Sequence, residues 1–343
     1  MKALVMREYG KFDFQNVPDP TCGIDEVLIQ VKACGICGSD VHGMDGSTGR
    51  RIPPVVMGHE AAGVIVEVGS AVVAWKPGDR VTFDSTIYCG SCYFCRRGQV
   101  NLCDHRRVLG VSCDEYRQNG AFAEYVAVPQ RVLYRLPDDL TFERASLVEG
   151  TSVAVHAVGR APVTLNDTAV VVGSGMIGLL VIQALRAAGC GQIIAVDLDQ
   201  GRLDLATRLG ANVGLRSDTR DVVAEVRQLT GGRGVDLAFE VVGIAPTITL
   251  ALKSLRKGGS LTMVGNVSPS VELLLQVAVT RELTLYGTCA SSGEYPACLD
   301  LIVRGAIQVD PLISAVAPLA EGAAWFDRLY HREPGLMKVV LTP

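Results

Sequence analysis

The chain has 343 residues, 48% of them hydrophobic and 20% charged, with 37 glycines and a formal charge of −4. That length exceeds what one core usually supports and predicts two domains, while the composition excludes a disordered chain. With no basic excess and no run of lysine and arginine, nothing is offered to a phosphodiester backbone, so nucleic acid is not an expected partner.

The opening segment MKALVMREYG holds no apolar stretch of signal-peptide length, and no window reaches the roughly 18 apolar residues of a spanning helix. A cytoplasmic protein with no membrane partner is the expectation. Up to about residue 150 the apolar runs are short, β-branched and separated by turn signals (VLIQVKACG, GVIVEVG, DRVTF, AFAEYVAVP), which predicts a mostly β domain over 1–155.

Within that half, Cys89, Cys92, Cys95 and Cys103 lie in the loop-like stretch CGSCYFCRRGQVNLC. Four thiolates on one short segment can close a tetrahedral shell around zinc with no open position, the arrangement of a structural site; an iron–sulfur cluster is the weaker alternative. Cys37 in CGICGSDVH, His59 and Glu60 in MGHEAAG, and Glu149 in ASLVEGTSVAVHA are further metal-ligand types. Each also has a plain reading: a buried cysteine, a core histidine, a glutamate at the start of a helix. Spacing alone does not bring them together.

From about residue 156 to 290 strands alternate with longer helical stretches (TAVVVG, MIGLLVIQALRAAG, QIIAVD, QGRLDLATRLG, VDLAFEVVG, ITLALKSLRKGG, SLTMVG), which predicts a doubly wound parallel α/β sheet. The first strand runs into Gly173-Ser174-Gly175-Met176-Ile177-Gly178 and a helix, the Rossmann fingerprint for a dinucleotide pyrophosphate at a helix N-terminus. The second strand ends at Asp197, about 20 residues on, where a carboxylate accepts from ribose hydroxyls and repels a 2′-phosphate. NAD is therefore expected over NADP, although Arg202 lies near the same strand end. The pattern over 291–343 is less regular and closes on an apolar strand from Lys338 to Leu341, which must find its neighbours elsewhere and is expected to rejoin the first domain.

The runs CGICGSDVH, GHEAAGVIVEVG, AWKPGDRV, the four-cysteine stretch, GAFAEYVAVP and the glycine fingerprint, in that order, resemble the zinc-containing medium-chain dehydrogenase family over essentially the whole chain. The resemblance implies a GroES-like catalytic domain built from both chain ends around a Rossmann domain, one catalytic and one structural zinc, and a dimer or tetramer. It implies that Cys37 and His59 are zinc ligands, and that Glu60 is a ligand or near-ligand. Glu149 stands where alcohol dehydrogenases have a cysteine, as in the sorbitol and butanediol branch. A proton relay through Ser39 and His42 is also implied; the plainer reading makes Ser39 a helix cap and His42 an exposed loop residue.

The substrate implied is a small-molecule secondary alcohol of a polyol. Sorbitol dehydrogenases carry an aromatic residue after the relay histidine and an Arg-Tyr pair after the last Rossmann strand, whereas this chain has Gly43 and Ala290-Ser291, which argues against sorbitol itself. Arg50 and Arg51 are read as a solvated charge pair, with a substrate phosphate as the alternative. Threonine and 2,3-butanediol dehydrogenases use the same machinery. A binding protein that kept the fold without the chemistry is expected to have lost Cys37, His59 or Glu149, and all three are present.

Overall fold

The run EVLIQVKACG alternates buried and half-buried residues with the two-residue period of a strand, and it forms strand Glu26–Gly35 in the computed structural model, which describes residues 1–113 and 116–343. This strand organises a seven-stranded sheet. Strand Glu60–Val68 pairs antiparallel along one edge, from Val27↔Val68 to Gly35↔Glu60. The other edge is shared by Tyr125–Pro129, against Glu26 to Gln30, and by the last strand, Lys338–Thr342, against Cys34 and Gly35. Arg80–Phe83, Leu133–Arg135 and Ile313–Pro318 complete it. Phe122, Phe326, Met57 and Ile29 are fully buried in the core of this unit, with Phe326 stacked on Phe12 and edge-on to Phe122.

The chain forms two units: Met1–Glu149 with Ser292–Val303 and Val309–Pro343, and Gly150–Ser291 with Arg304–Gln308. The second holds a six-stranded parallel sheet in the order Val213–Arg216, Gln192–Asp197, Thr168–Val172, Val235–Glu240, Leu255–Met263, Thr284–Gly287. The central strand TAVVV is buried except for its first residue, as a strand covered on both faces must be. Helix Met176–Ala187 is apolar apart from Gln183 and Arg186 and buried from Gly178 to Leu185. Side chains of Asp199 and Asp221 accept from Arg202 N and Ala224 N and so start helices Gln200–Arg208 and Val222–Leu229.

Two elements depart from the sequence expectation. The stretch ITLALKSLRKGG does not stay helical: helix Ala245–Ser254 stops, and Leu255 turns extended to pair with Val235 and bury its side chain completely. The irregular tail contains helices Tyr295–Val303 and Gly322–Tyr330, the latter fixed by Phe326. Among the described residues no helix is long and apolar enough to cross a membrane.

Candidate active site and metal centres

Strand register assembles the first constellation. Because Gly35 pairs with Glu60, the residues just beyond one strand end and just before the next strand start are neighbours. The ligand atoms of Cys37, His59 and Glu60 consequently lie within 4.8 Å of one another. Cys37 also caps the short helix Gly38–Gly43: its Sγ accepts from Ser39 N at 3.4 Å and Ser39 Oγ at 3.3 Å. The cap is thus the sulfur of Cys37 and not Ser39, which sits in the first turn with its hydroxyl 3.5 Å from His59 Nε2. His42 is exposed on the same helix, and among the described residues no side-chain hydrogen bond joins it to Ser39.

Behind these side chains stand three charges that the sequence reading did not assign to the site. Asp40 is fully buried, and its Oδ2 faces His59 Nδ1 at 3.4 Å, an electrostatic contact without the alignment of a formed hydrogen bond. That contact favours a proton on Nδ1 and leaves Nε2 as the nitrogen that would bind a metal, once its own proton is displaced. Arg51 donates from Nε and Nη2 to Asp40 Oδ1 at 3.1 and 2.9 Å and from Nη2 to Ser39 Oγ at 3.3 Å. Arg51 is only 4% exposed, so the expected solvated Arg50-Arg51 pair is corrected: Arg50 faces solvent, while the buried carboxylate of Asp40 draws Arg51 inward. A Cβ on Gly43 would come within 2.6 Å of Arg51 Cγ, which explains the small residue after His42.

The third charge is Lys338, which opens the last strand and is buried. Its Nζ donates to Ile36 O at 2.9 Å and to Glu60 Oε2 in a short ion pair. Glu60 Oε1 is buried with no partner. Glu149 starts helix Val148–Arg160 and accepts from Ser85 Oγ at 3.4 Å. Burial pushes its carboxyl up to about 7; His59 opposes the shift, and the negative charges of Glu60 and Asp84 add to it. A thiol, an imidazole and an orphaned carboxylate oxygen converge here, and a second acid that burial makes reluctant to ionise is coupled to them in charge. Zinc, with its preference for sulfur, nitrogen and oxygen donors, fits that set.

The four cysteines form a separate cluster. Cys89 and Cys95 sulfurs are 4.0 Å apart and Cys92 and Cys103 sulfurs 3.9 Å apart. A tetrahedron of thiolates at about 2.3 Å from zinc has edges of about 3.8 Å, so these spacings suit a closed shell. Backbone N–H groups point at the sulfurs: Cys89 N and His105 N donate to Cys103, and Ser91 N donates to Cys89. Donation from the Ser91 and Cys92 amides brings the Cys89 thiol down to about 6, toward the thiolate a metal needs.

In the second unit the glycine loop has distinct tasks at its two ends. Gly173 has φ +100°, a conformation side chains rarely adopt, and a Cβ on Gly178 would lie 1.8 Å from Gly173 O. Gly175 caps helix Met176–Ala187, and its Cβ direction is open. Met176 and Ile177 are half-buried in the first turn. Asp197 lies at the adjacent strand end with Oδ2 accepting from Ser174 N at 2.7 Å and Oδ1 from Leu198 N and Asp199 N at 2.8 and 3.0 Å. Arg202 is half-buried in the first turn of the following helix.

Residues 23–138 match the family of the alcohol dehydrogenase GroES-like domain, and residues 177–304 match the zinc-binding dehydrogenase family. The chain is 33% identical to the sorbitol dehydrogenase of Bacillus subtilis (strain 168), covering 100% of this chain and 97% of the relative. It is 35% identical to the D-arabitol-phosphate dehydrogenase of Enterococcus avium, over 94% and 91% of the two chains. Its fold superposes on an alcohol dehydrogenase from Thermus sp. ATN1 with a TM-score of 0.93 at 32% identity, over 100% of this chain and 99% of that one.

The Lys338–Glu60 pair yields a stability prediction. Lys338→Met strands a buried carboxylate and is expected to cost about 3–5 kcal/mol in urea unfolding of the zinc-loaded protein, while adding Glu60→Gln recovers much of it. Wild-type stability in the single variant would show that Glu60 does not depend on the lysine.

Proposed function

The chain belongs to the zinc-binding dehydrogenase family that carries an alcohol dehydrogenase GroES-like domain, and on that premise we propose that it oxidises a secondary hydroxyl of a polyol to the ketone, with NAD as acceptor. The observation that carries this reading is the convergence of Cys37, His59 and Glu60 within 4.8 Å, with the acid of Glu149 nearby in charge. The zinc-bearing unit is assigned the chemistry and the parallel-sheet unit the dinucleotide. Bound zinc supplies Lewis acidity that lowers the pKa of a hydroxyl, and bound NAD supplies the hydride acceptor.

The protein's own residues do the rest. Cys37 and His59 hold the metal with Glu149 or Glu60. Asp40 keeps His59 in the tautomer that presents Nε2, and Arg51 keeps Asp40 ionised in its buried place. Ser39, beside His59 Nε2, would accept the substrate proton and exposed His42 would pass it to solvent, with a bridging group needed between them because among the described residues no side-chain hydrogen bond joins the two. Asp197 favours NAD, because its carboxylate repels a 2′-phosphate. Arg51 is committed to Asp40, which leaves Arg50 alone on that loop for a phosphate, so a neutral polyol is the favoured substrate. The sorbitol and arabitol-phosphate relatives support the substrate class.

The reading is tested by following NAD and NADP reduction over polyols, polyol phosphates, threonine and vicinal diols, with zinc measured on the same sample. Turnover on a polyol with two zinc ions per chain is expected, and absence of turnover on every alcohol would end it. Cys37→Ser is expected to lose one zinc and all turnover with the fold retained. Cys92→Ser is expected to lose the other zinc, with Tm falling roughly 2–4 °C for each kcal/mol of binding energy removed.

Asp197→Gly is expected to shift the kcat/KM ratio toward NADP; a wild type that already prefers NADP contradicts the assignment. His42→Ala is expected to lower turnover about 100-fold, most strongly at low pH where external base is scarce, with imidazole restoring part of the rate and NAD affinity unchanged. An unaltered pH–rate profile would leave His42 as an ordinary surface histidine.

A further inference from the structure

All strands of the second unit run parallel, so its sheet has two different edges. Gly173 and Asp197 mark the edge where strands end. The opposite edge, where strands begin, lies a strand length away, roughly 17–20 Å. A cavity of about 540 Å³ opens there, lined by Arg227, Gly232, Arg233, Arg256, Lys257 and Arg281. Five of its six lining residues are cationic, and none is acidic.

The cations come from four places in the chain. Arg227 lies in the last turn of helix Val222–Leu229, Arg233 in the turn before strand Val235–Glu240, Arg256 and Lys257 at the start of Leu255–Met263, and Arg281 after helix Leu275–Thr280. Two of them are anchored. Arg256 Nε donates to Asp236 Oδ1 at 2.6 Å, and the Arg281 guanidinium donates to Leu255 O. Asp236 is itself engaged, since its Oδ2 accepts from Thr168 N and Thr168 Oγ1. Among the described residues Arg227, Arg233 and Lys257 have no ion-pair partner.

With Arg256 offset by Asp236, four cations with no acidic partner among the described residues are gathered in one hollow of a chain whose net charge is −4, a local concentration of charge that attracts an anion. The cavity is of small-ligand size, and its guanidinium groups present paired donors suited to phosphate oxygens. One phosphate dianion would leave about half of that charge uncompensated. We propose that this cavity is a second anion site, distinct from the dinucleotide site, that takes a small ligand carrying two or more linked phosphates. A nucleic acid is the less suitable occupant, because the cations are gathered around one open hollow lined by six residues and do not extend along a face.

The test is calorimetric titration of the zinc-loaded full chain, saturated with NAD, using pyrophosphate and tripolyphosphate. One saturable site is expected, weakened by salt and weakened about 10-fold or more in Arg227→Gln/Arg233→Gln, which removes two exposed charge-assisted contacts. NAD affinity and turnover are expected to stay within about twofold in that variant. Lys257→Gln is a second exposed variant expected to weaken binding without loss of fold. The proposal is overturned if neither phosphate saturates, if both variants bind like wild type, if pyrophosphate only displaces NAD, or if orthophosphate or a single-stranded oligonucleotide binds as tightly.

Discussion

The buried pair between Lys338 and Glu60 is the contact on which the first unit depends. Removing two charges from water costs several kcal/mol each, and the cost is tolerated here because the lysine also donates to Ile36 O and the carboxylate has one oxygen left for a cation. Three strands are tied by it: Glu60 starts one, Lys338 starts another, and Gly35 ends the strand between them. A Cβ on Gly35 would sit 2.5 Å from Glu60 Oε2, so the middle strand must end in a residue with no side chain. Sheet register and site geometry are therefore one constraint.

Around that pair the charges alternate in sign. Arg51 faces Asp40, Asp40 faces His59, and Lys338 faces Glu60. Each cation sits one layer behind an acid and leaves the front of the site negative. Burial opposes protonation of His59, yet Asp40 and Cys37 together raise its pKa well above the usual range. Two acids at strand ends of the second unit are held in another way: Asp197 and Glu240 are met by backbone N–H groups, Glu240 by those of Val242 and Gly243. Peptide amides hold those loops in shape without adding a countercharge.

What could be read from the sequence was what depends on near neighbours. The glycine loop, the four-cysteine stretch and the strand alternation are each complete within some fifteen residues, and the structure gives each a local geometry that suits its pattern. Asp40, Arg51 and Lys338 escaped because their meaning lies in partners far along the chain; Lys338 and Glu60 are 278 residues apart. Arg51 sits beside an ordinary solvated arginine, and nothing adjacent marks it as buried. A signal was available at Lys338, a cation opening the otherwise apolar run KVVLT, and at Gly43, whose smallness makes room for Arg51. Helix Ala245–Ser254 was overextended because leucine serves helix and buried strand equally well, and pairing with Val235 decided for Leu255.

The place of the last strand also sets an order of events during synthesis. Residues 150–291 leave the ribosome as one continuous segment and can close their parallel sheet while translation continues. The earlier segment cannot finish: strand Glu26–Gly35 has a bare edge at Cys34 and Gly35, and Glu60 has no countercharge, until residues 338–342 emerge. For the whole time taken to translate the intervening chain, the nascent protein carries a completed parallel sheet and also an incomplete β-sheet with an exposed edge, the kind of surface that chaperones cover.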